Sequence, residues 1–331
     1  MNFSFIIPVY NRPYEVEELL QSLAKQNYLS DFEIVIVEDG STIPCSHVID
    51  EYRSKLNISY YFKENSGPGD SRNFGMRNAK GDYFLILDSD CILPPNYLSE
   101  AEKALSENFA DCFGGPDNAS DSFTNIQKAI NFAMTSFLTT GGIRGGSEKI
   151  DKFQPRSFNM GLSKKAFEAS NGFGNIHPGE DPDLSIRLWK MNFETKLFPN
   201  VFVFHKRRID WSKFYKQVNK FGKARPILNS WYPEYNKLTY FFPSVFFIGF
   251  VFSIVLLLLG FEIFLALYGL YFIAIFITAT LQNKNLLIGS LSVFAVAMQF
   301  YGYGIGFIKS YWKIIILKKK PQIAFPELFF K

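Results

Sequence analysis

From Tyr240 to Ile308 the chain carries only two charged side chains, Glu262 and Lys284. A stretch this long and this apolar cannot form the surface of a water-soluble domain; it is expected to be embedded in a membrane, the alternative being buried core helices that little of the remaining chain is left to cover. Thr239 to Gly260 is uncharged over about 22 residues, and a helix needs about 20 to cross a bilayer. Residues 261–281 supply a second length, interrupted by Glu262 near its start. Residues 286–308 supply a third, weaker one that contains Gln299 and four glycines. The expected organisation is a globular domain over 1–235, membrane helices over 239–308 and a basic tail over 309–331. A basic interfacial segment, 206–237, closes the globular domain with nine Lys or Arg against two acids; it would lie on anionic headgroups or near a lipid phosphate, the alternative being a solvated helix face. Positive charge flanks the apolar region on both sides. The positive-inside rule puts both flanks in the cytoplasm, whereas three full spans would separate them. Two spans plus a third segment of open geometry are therefore expected.

The 37 Phe among 331 residues belong with this division into two solvents. Cys45, Cys91 and Cys112 are far apart and form no CxxC pair, which argues against a disulfide framework or zinc site and for a reducing compartment. "MNFSFIIPVYNRP" lacks a basic leader and reads as a first β-strand rather than a signal peptide. The globular part is thus expected on the cytoplasmic side of a plasma membrane crossed more than once. The formal net charge of +4 is too small to suggest nucleic acid.

Before residue 110, short apolar strands alternate with amphipathic helices. "FSFIIPVY", "FEIVIVEDGS", "ISYYFKEN" and "DYFLILDSD" are the strands, and helical spacing of Val16, Leu19, Leu20 and Leu23 marks the first helix. This is the pattern of an α/β domain with a mainly parallel sheet flanked by helices. Ligands of such sheets gather at the carboxyl ends of the strands. Three of the four strands end there in polar groups: Tyr10 and Asn11, Glu38 and Asp39, Asp88 and Asp90. Core burial does not explain them, because an unpaired buried carboxylate is costly. Asp88 and Asp90, separated by one residue, form a hard oxygen site suited to Mg²⁺ or Mn²⁺ with phosphate oxygens as further ligands. A solvated turn carries the same pattern, so the motif needs company.

After residue 110 the pattern loosens. "FGGPDNASDSFTN" reads as a turn-rich loop and "IQKAINFAMTSFL" as a helix. "TTGGIRGGSEKIDKFQPRS" reads as a flexible loop on the substrate side, with Arg144 and Arg156 available to an anionic acceptor. "GEDPDLSIRLWKMNF" is a helix that opens with acids at its positive end, where Asp183 and Arg187 are spaced to pair. "TKLFPNVFVFHKRR" reads as a last strand ending in His205. "GYGIG" at 302–306 imitates a nucleotide fingerprint but follows no α/β strand, so it is set aside.

In order and spacing, "FIIPVYNRP", "IVIVEDGS", "NSGPGDSRNFGMRNAKGDYFLILDSD", "FNMGLSKKAFEASNGF", "GEDPDLSIRL" and "VFHKRR" resemble the family-2 glycosyltransferases, which have the GT-A fold. The resemblance covers roughly residues 3–225. It implies that Pro8, Tyr10 and Asn11 line the nucleotide base pocket and that Asp39 hydrogen-bonds the base. Gly67 would let the backbone approach the nucleotide, and Arg72 would sit near the base or phosphates. Asp88 would bind ribose or metal, Asp90 the metal, and His205 would complete the metal or phosphate site. Asp181 would take the proton of the acceptor hydroxyl, with Glu180 positioning the acceptor or acting as base itself.

The family's common "DDGS" is "EDGS" here. The processive Gln-x-x-Arg-Trp signature is missing, the nearest string being "QVNKF" at 217–221, which argues for transfer of one sugar. The reading implied is a membrane-anchored, inverting transferase. It would use a nucleotide diphosphate-sugar (UDP or dTDP favoured, GDP admissible) and a lipid-linked or surface-glycan acceptor. Transfer to a polyprenyl phosphate and a non-catalytic membrane scaffold are the alternatives. A nucleotidyltransferase would carry a Gly-rich loop after the first strand, which "PVYNRP" lacks.

Overall fold

The computed structural model describes residues 1–118, 123–141, 152–206 and 210–330; Arg144 and most of the Gly-rich loop lie outside them. The chain forms two compact units, one of Met1–Ser120, Glu148–Lys206 and Phe329–Lys331, the other of Asp121–Ser147 and Arg207–Leu328.

The first unit is built on β1 (Phe3–Val9), β2 (Glu33–Asp39), β3 (Ile58–Lys63), β4 (Tyr83–Leu87), β5 (Cys91–Ile92), β6 (Cys112–Gly114), β7 (Asp117–Asn118), β8 (Asn159–Ser163), β9 (Thr195–Leu197) and β10 (Val203–His205). A seven-stranded sheet runs β3-β2-β1-β4-β8-β6-β9 and a small sheet runs β5-β10-β7. β3, β2, β1 and β4 are mutually parallel, so their carboxyl ends share one edge. β8 enters antiparallel between β4 and β6. Both faces of the sheet are covered, which is why the central strands read as unbroken apolar runs. Phe5, Ile7, Ile36 and Leu85 pack on one face with α1 (Pro13–Leu23) and α4 (Tyr97–Glu107); α2 (Ser46–Tyr52) joins this side. Ile6, Val35, Val37 and Phe84 pack on the other with α3 (Pro68–Asn78).

Turn chemistry delivers each helix to the carboxyl edge. Pro13 and Pro68 open α1 and α3 at positions where a missing N–H costs nothing. Asn11 stands in the left-handed region (φ 54°), a conformation Asn tolerates. Its Oδ1 accepts from the Thr42 and Ile43 amides at 2.8 and 2.9 Å, tying the β1 exit to the β2 exit.

The second unit contains α5 (Asn125–Thr135), capped by a reciprocal Thr124–Gln127 box, and α6 (Phe137–Thr140). α7 (Lys164–Ser170) and α8 (Glu180–Lys190) belong to the first unit. The second continues with α9 (Trp211–Trp231), α10 (Phe242–Leu258), α11 (Ile263–Asn283) and α12 (Leu286–Tyr311). Among the described residues, three helices are long and apolar enough to cross a membrane, with mean hydropathies of 2.6, 2.2 and 1.5 in chain order. The third segment is one continuous helix through Tyr311. Its lower hydropathy has a packing cause: α9 lies along it. Gly222 of α9 and Gly302 and Gly306 of α12 have no room for a Cβ against the facing helix. Small residues of this kind let helix backbones approach closely, and Asn219 Nδ2 donates to Gly302 O at 2.9 Å. The glycines of "GYGIG" are thus helix contacts.

Candidate active site

At the β2 exit, Asp39 is 4% exposed. Its Oδ1 accepts from Lys63 Nζ at 2.7 Å and the Ser66 amide at 3.0 Å, and its Oδ2 from the Gly67 amide at 3.0 Å. Asp39 therefore folds the loop before α3 onto the sheet edge and retains acceptor capacity on Oδ2. Gly67, at φ 94°, has a backbone that a side chain rarely adopts. A Cβ there would lie 2.3 Å from ring atoms of Phe330. Gly67→Ala is accordingly expected to destabilise the protein by about 1–3 kcal/mol, read as a lower melting temperature. Pro8 sits in β1 just before this edge, Asn11 is spent on the neighbouring loop, and Tyr10 is 53% exposed beside it.

The two aspartates after β4 part company. Asp88 Oδ1 accepts from Arg72 Nη2 at 2.7 Å. Arg72, 3% exposed on α3, also reaches Glu180 Oε1 at 3.4 Å and lies over the Phe173 ring. Asp90 instead accepts from Arg12 Nη1 at 2.8 Å, and its other oxygen lies 3.2 Å from His205 Nε2. The small sheet makes this meeting. β5 pairs antiparallel with β10 so that Cys91 faces His205, and β7 brings Asp117 to 3.8 Å from His205 Nδ1. Phe158 stacks on the imidazole at 4.8 Å.

Asp90, Cys91 and His205 present donor atoms within 4.8 Å of one another. The Asp90 carboxylate suits Mg²⁺ or Mn²⁺, and the His205 imidazole fits Mn²⁺ better than Mg²⁺; either ion would fill further positions with phosphate and water oxygens. Cys91 does not belong in that set. Burial, then the Asp90 and Asp88 carboxylates, push its thiol far up, and it donates to Phe158 O at 3.3 Å.

Across the cleft, the adjacent acids of α8 have opposite environments. Glu180 Oε1 lies 2.7 Å from His177 Nδ1, and Oε2 accepts from the Gly179 amide at 2.9 Å. Burial raises its pKa, but His177 and then Arg72 outweigh burial and hold it at about 2. Asp181 is pushed up to about 6 by burial and then by the charge of Glu180, against the opposing pull of Arg72 and Arg156. Its Oδ1 is buried with no hydrogen-bond partner among the described residues. A buried carboxylate oxygen with no donor among the described residues, next to an acid held in its charged form, is chemically able to take a proton. Asp183 pairs with Arg187 at 2.9 Å, and Arg187 also caps the Ser170 and Gly172 carbonyls, so that pair serves the fold.

Arg12, Lys63, Asp117 and His177 stand in this constellation without having been singled out in the sequence. His177 alone left a local signal, three residues before Glu180 with a Pro-Gly turn between. Arg12 and Asp117 reach Asp90 and His205 only through the sheet.

A mainly parallel sheet with carboxylates along its carboxyl edge, facing a second acidic site at a helix start, defines a GT-A-type α/β protein. The model of the family described as "Glycosyl transferase family 2" matches residues 4–170, half of the chain, which therefore belongs to that family. The chain is 38% identical over 114 residues to poly(ribitol-phosphate) beta-N-acetylglucosaminyltransferase TarS of Staphylococcus aureus, covering 34% of this chain and 20% of TarS. An uncharacterised glycosyltransferase of Rickettsia bellii is 36% identical over 105 residues, 32% of this chain and 15% of that one. The match thus spans a fifth or less of these curated relatives. Among solved structures, S. aureus TarS 1-349 superposes with a TM-score of 0.53 at 19% identity, covering 96% of this chain and 92% of that one. The mannosyltransferase PcManGT from Pyrobaculum calidifontis, in complex with GDP-Man and Mn2+, gives 0.60 at 15% identity, covering 94% and 87%. At these identities the likeness is one of fold.

Proposed function

We propose that the protein is a metal-dependent, inverting glycosyltransferase that moves one sugar from a nucleotide diphosphate-sugar to an acceptor hydroxyl. The observation that carries the reading is the split between Glu180 and Asp181: one acid locked by His177 and Arg72, the other raised to about 6 with an oxygen to spare. In this reading the base packs at the β2 exit, where Asp39 Oδ2 accepts from a base N–H as well as from Gly67. Pro8, Tyr10 and Asn11 frame that edge, and Arg72 orders Asp88 for the ribose. Asp90 and His205 would hold Mg²⁺ or Mn²⁺, and Asp88 would join them only by leaving Arg72. The ion supplies charge neutralisation for the departing diphosphate. The acceptor oxygen attacks the anomeric carbon opposite the leaving group. Its proton passes to Asp181, the C–O bond to the diphosphate breaks, and the anomeric configuration inverts. A poised carboxylate of this kind is needed for a hydroxyl acceptor and superfluous for a phosphate, which favours hydroxyl transfer over the making of a polyprenyl-phosphate sugar.

Mn²⁺ and GDP-Man in a fold neighbour, and a TarS relative named for N-acetylglucosamine transfer to poly(ribitol phosphate), support a nucleotide-sugar donor and a cell-surface acceptor. The three apolar helices and the basic α9 support a multi-pass protein of the plasma membrane, working on its cytoplasmic face on a lipid-linked or glycan acceptor. The test is to incubate membranes containing the protein with radiolabelled UDP-, dTDP- and GDP-sugars and Mn²⁺. Label entering the lipid or glycan fraction, and lost on adding EDTA, is the expected result. Label transfer that survives EDTA would remove the metal from the account.

A further inference from the structure

The last described residues lie against the candidate site of the first unit. Phe329 and Phe330 cluster with the first unit. Phe329 forms an antiparallel bridge with Ile176, and the Phe330 amide donates to Asn175 O at 3.1 Å. The Phe330 ring has two neighbours of different function. On one side it fills the place a Cβ of Gly67 would take. On the other its centroid is 6.0 Å from that of His177. It lines a cleft of about 140 Å³ whose walls include Asp70, Asn73, Phe173 and Asn175.

Each neighbour leads directly to a group with a task. The Gly67 amide donates to Asp39, which closes the loop at the β2 exit. His177 Nδ1 contacts Glu180, whose charge raises Asp181. The residues just before Asn175 are already fixed, since Asn73 bonds both the N–H and the carbonyl of Phe173 at 2.8 Å. Beyond them, Asn175 and Ile176 receive their strand-like partner from Phe329 and Phe330. One aromatic ring therefore spans the donor-side loop and the base-side loop, beside the links that Arg72 and Asn73 of α3 already make to Glu180 and Phe173.

We propose that Phe330 is a positioning residue for transfer: docked between Gly67 and His177, it holds the loop 65–67 and the loop 175–177 in register. This rests on the transferase reading only for its kinetic consequence. Displacing reacting groups by about an ångström costs up to about a hundredfold in rate, so a loosened pair of loops shows in turnover even though Phe330 touches no reacting atom.

The experiment compares full-length wild type, Phe330→Ala and Phe330→Leu in detergent micelles, by amide hydrogen exchange and by release of nucleoside diphosphate from the donor. In Phe330→Ala the amides of 66, 67, 69, 70 and 175–177 exchange faster while β1, β2 and β4 keep their protection. kcat falls about tenfold or more and the donor KM rises. Phe330→Leu, which keeps the apolar bulk, restores both. Wild-type exchange rates in the two loops of Phe330→Ala overturn the proposal. So does faster exchange with kcat and KM unchanged, or a lower kcat with unaltered KM and no rescue by Leu, which is the mark of lost folded protein. A wild type that releases nucleoside diphosphate from no donor overturns the transferase reading instead, and the exchange arm then judges the clamp by itself.

Discussion

Replacing Asp181 with Asn is expected to lower turnover by about a hundred- to ten-thousand-fold, the span a general base supplies, and to raise thermal stability at the same time. The fold raises the carboxyl of Asp181 from 3.8 to about 6. The folded state therefore binds this proton more tightly than the unfolded chain does, and ionisation works against folding. That cost is absent below the unfolded value of 3.8 and fully present above about 6. Asp181→Asn should therefore melt a few degrees higher than wild type near neutral pH and show no such gain in acid. The same shift fixes the pH dependence of the wild type. If Asp181 is the general base, the free enzyme needs it ionised, and kcat/KM should fall about tenfold per pH unit below about 6. Glu180→Gln should move this limb to lower pH, because removing a neighbouring negative charge makes Asp181 easier to ionise. Full turnover in Asp181→Asn, or a rate independent of pH down to 4.5, roughly, would remove Asp181 from its assigned role.

Arg72→Met is expected to be the most damaging change to the fold of the first unit. The guanidinium is 3% exposed and answers Asp88 at 2.7 Å and Glu180 at 3.4 Å. Taking one partner out of a buried ion pair costs about 3–5 kcal/mol, because the remaining charge stays desolvated. Glu180 keeps His177, and Asp88 is about a third exposed and recovers some hydration, so the lower end of that span applies. The melting temperature should drop by roughly ten degrees. Arg72→Lys keeps the charge but cannot present two nitrogens to two carboxylates, and should fall between. A melting temperature unchanged in Arg72→Met would show that the acids relax into water and that Arg72 is not the strut between α3 and α8.

The parallel half of the sheet was legible because β1 to β4 are continuous apolar runs separated by amphipathic helices. β6 and β7 were not: Cys112–Gly114 and Asp117–Asn118 are too short to show any period and read as part of a loop. The acids of the site could be found in sequence, since each ends a strand or opens a helix. Their partners could not. Arg12 meets Asp90 across 78 positions and Arg72 meets Glu180 across 108, joined only by the order of strands. The difference between Glu180 and Asp181 was hidden for the same reason, because it arises from His177, Arg72 and burial rather than from the acids themselves. Phe330 was the least visible of all. It lies beyond the apolar helices, and nothing in "PELFFK" says that its aromatic ring returns to Gly67.

A nucleotide diphosphate-sugar is expected to bind at the carboxyl edge with the help of a divalent cation on Asp90 and His205. Calorimetric titration of UDP-, dTDP- and GDP-sugars into the detergent-solubilised protein, with Mn²⁺ or with EDTA, tests it most directly. We predict saturable binding of one donor class in Mn²⁺, lost in EDTA and lost in Asp90→Asn. Binding of that donor at the same strength in EDTA and in Asp90→Asn, or binding of none of the three classes, would contradict it.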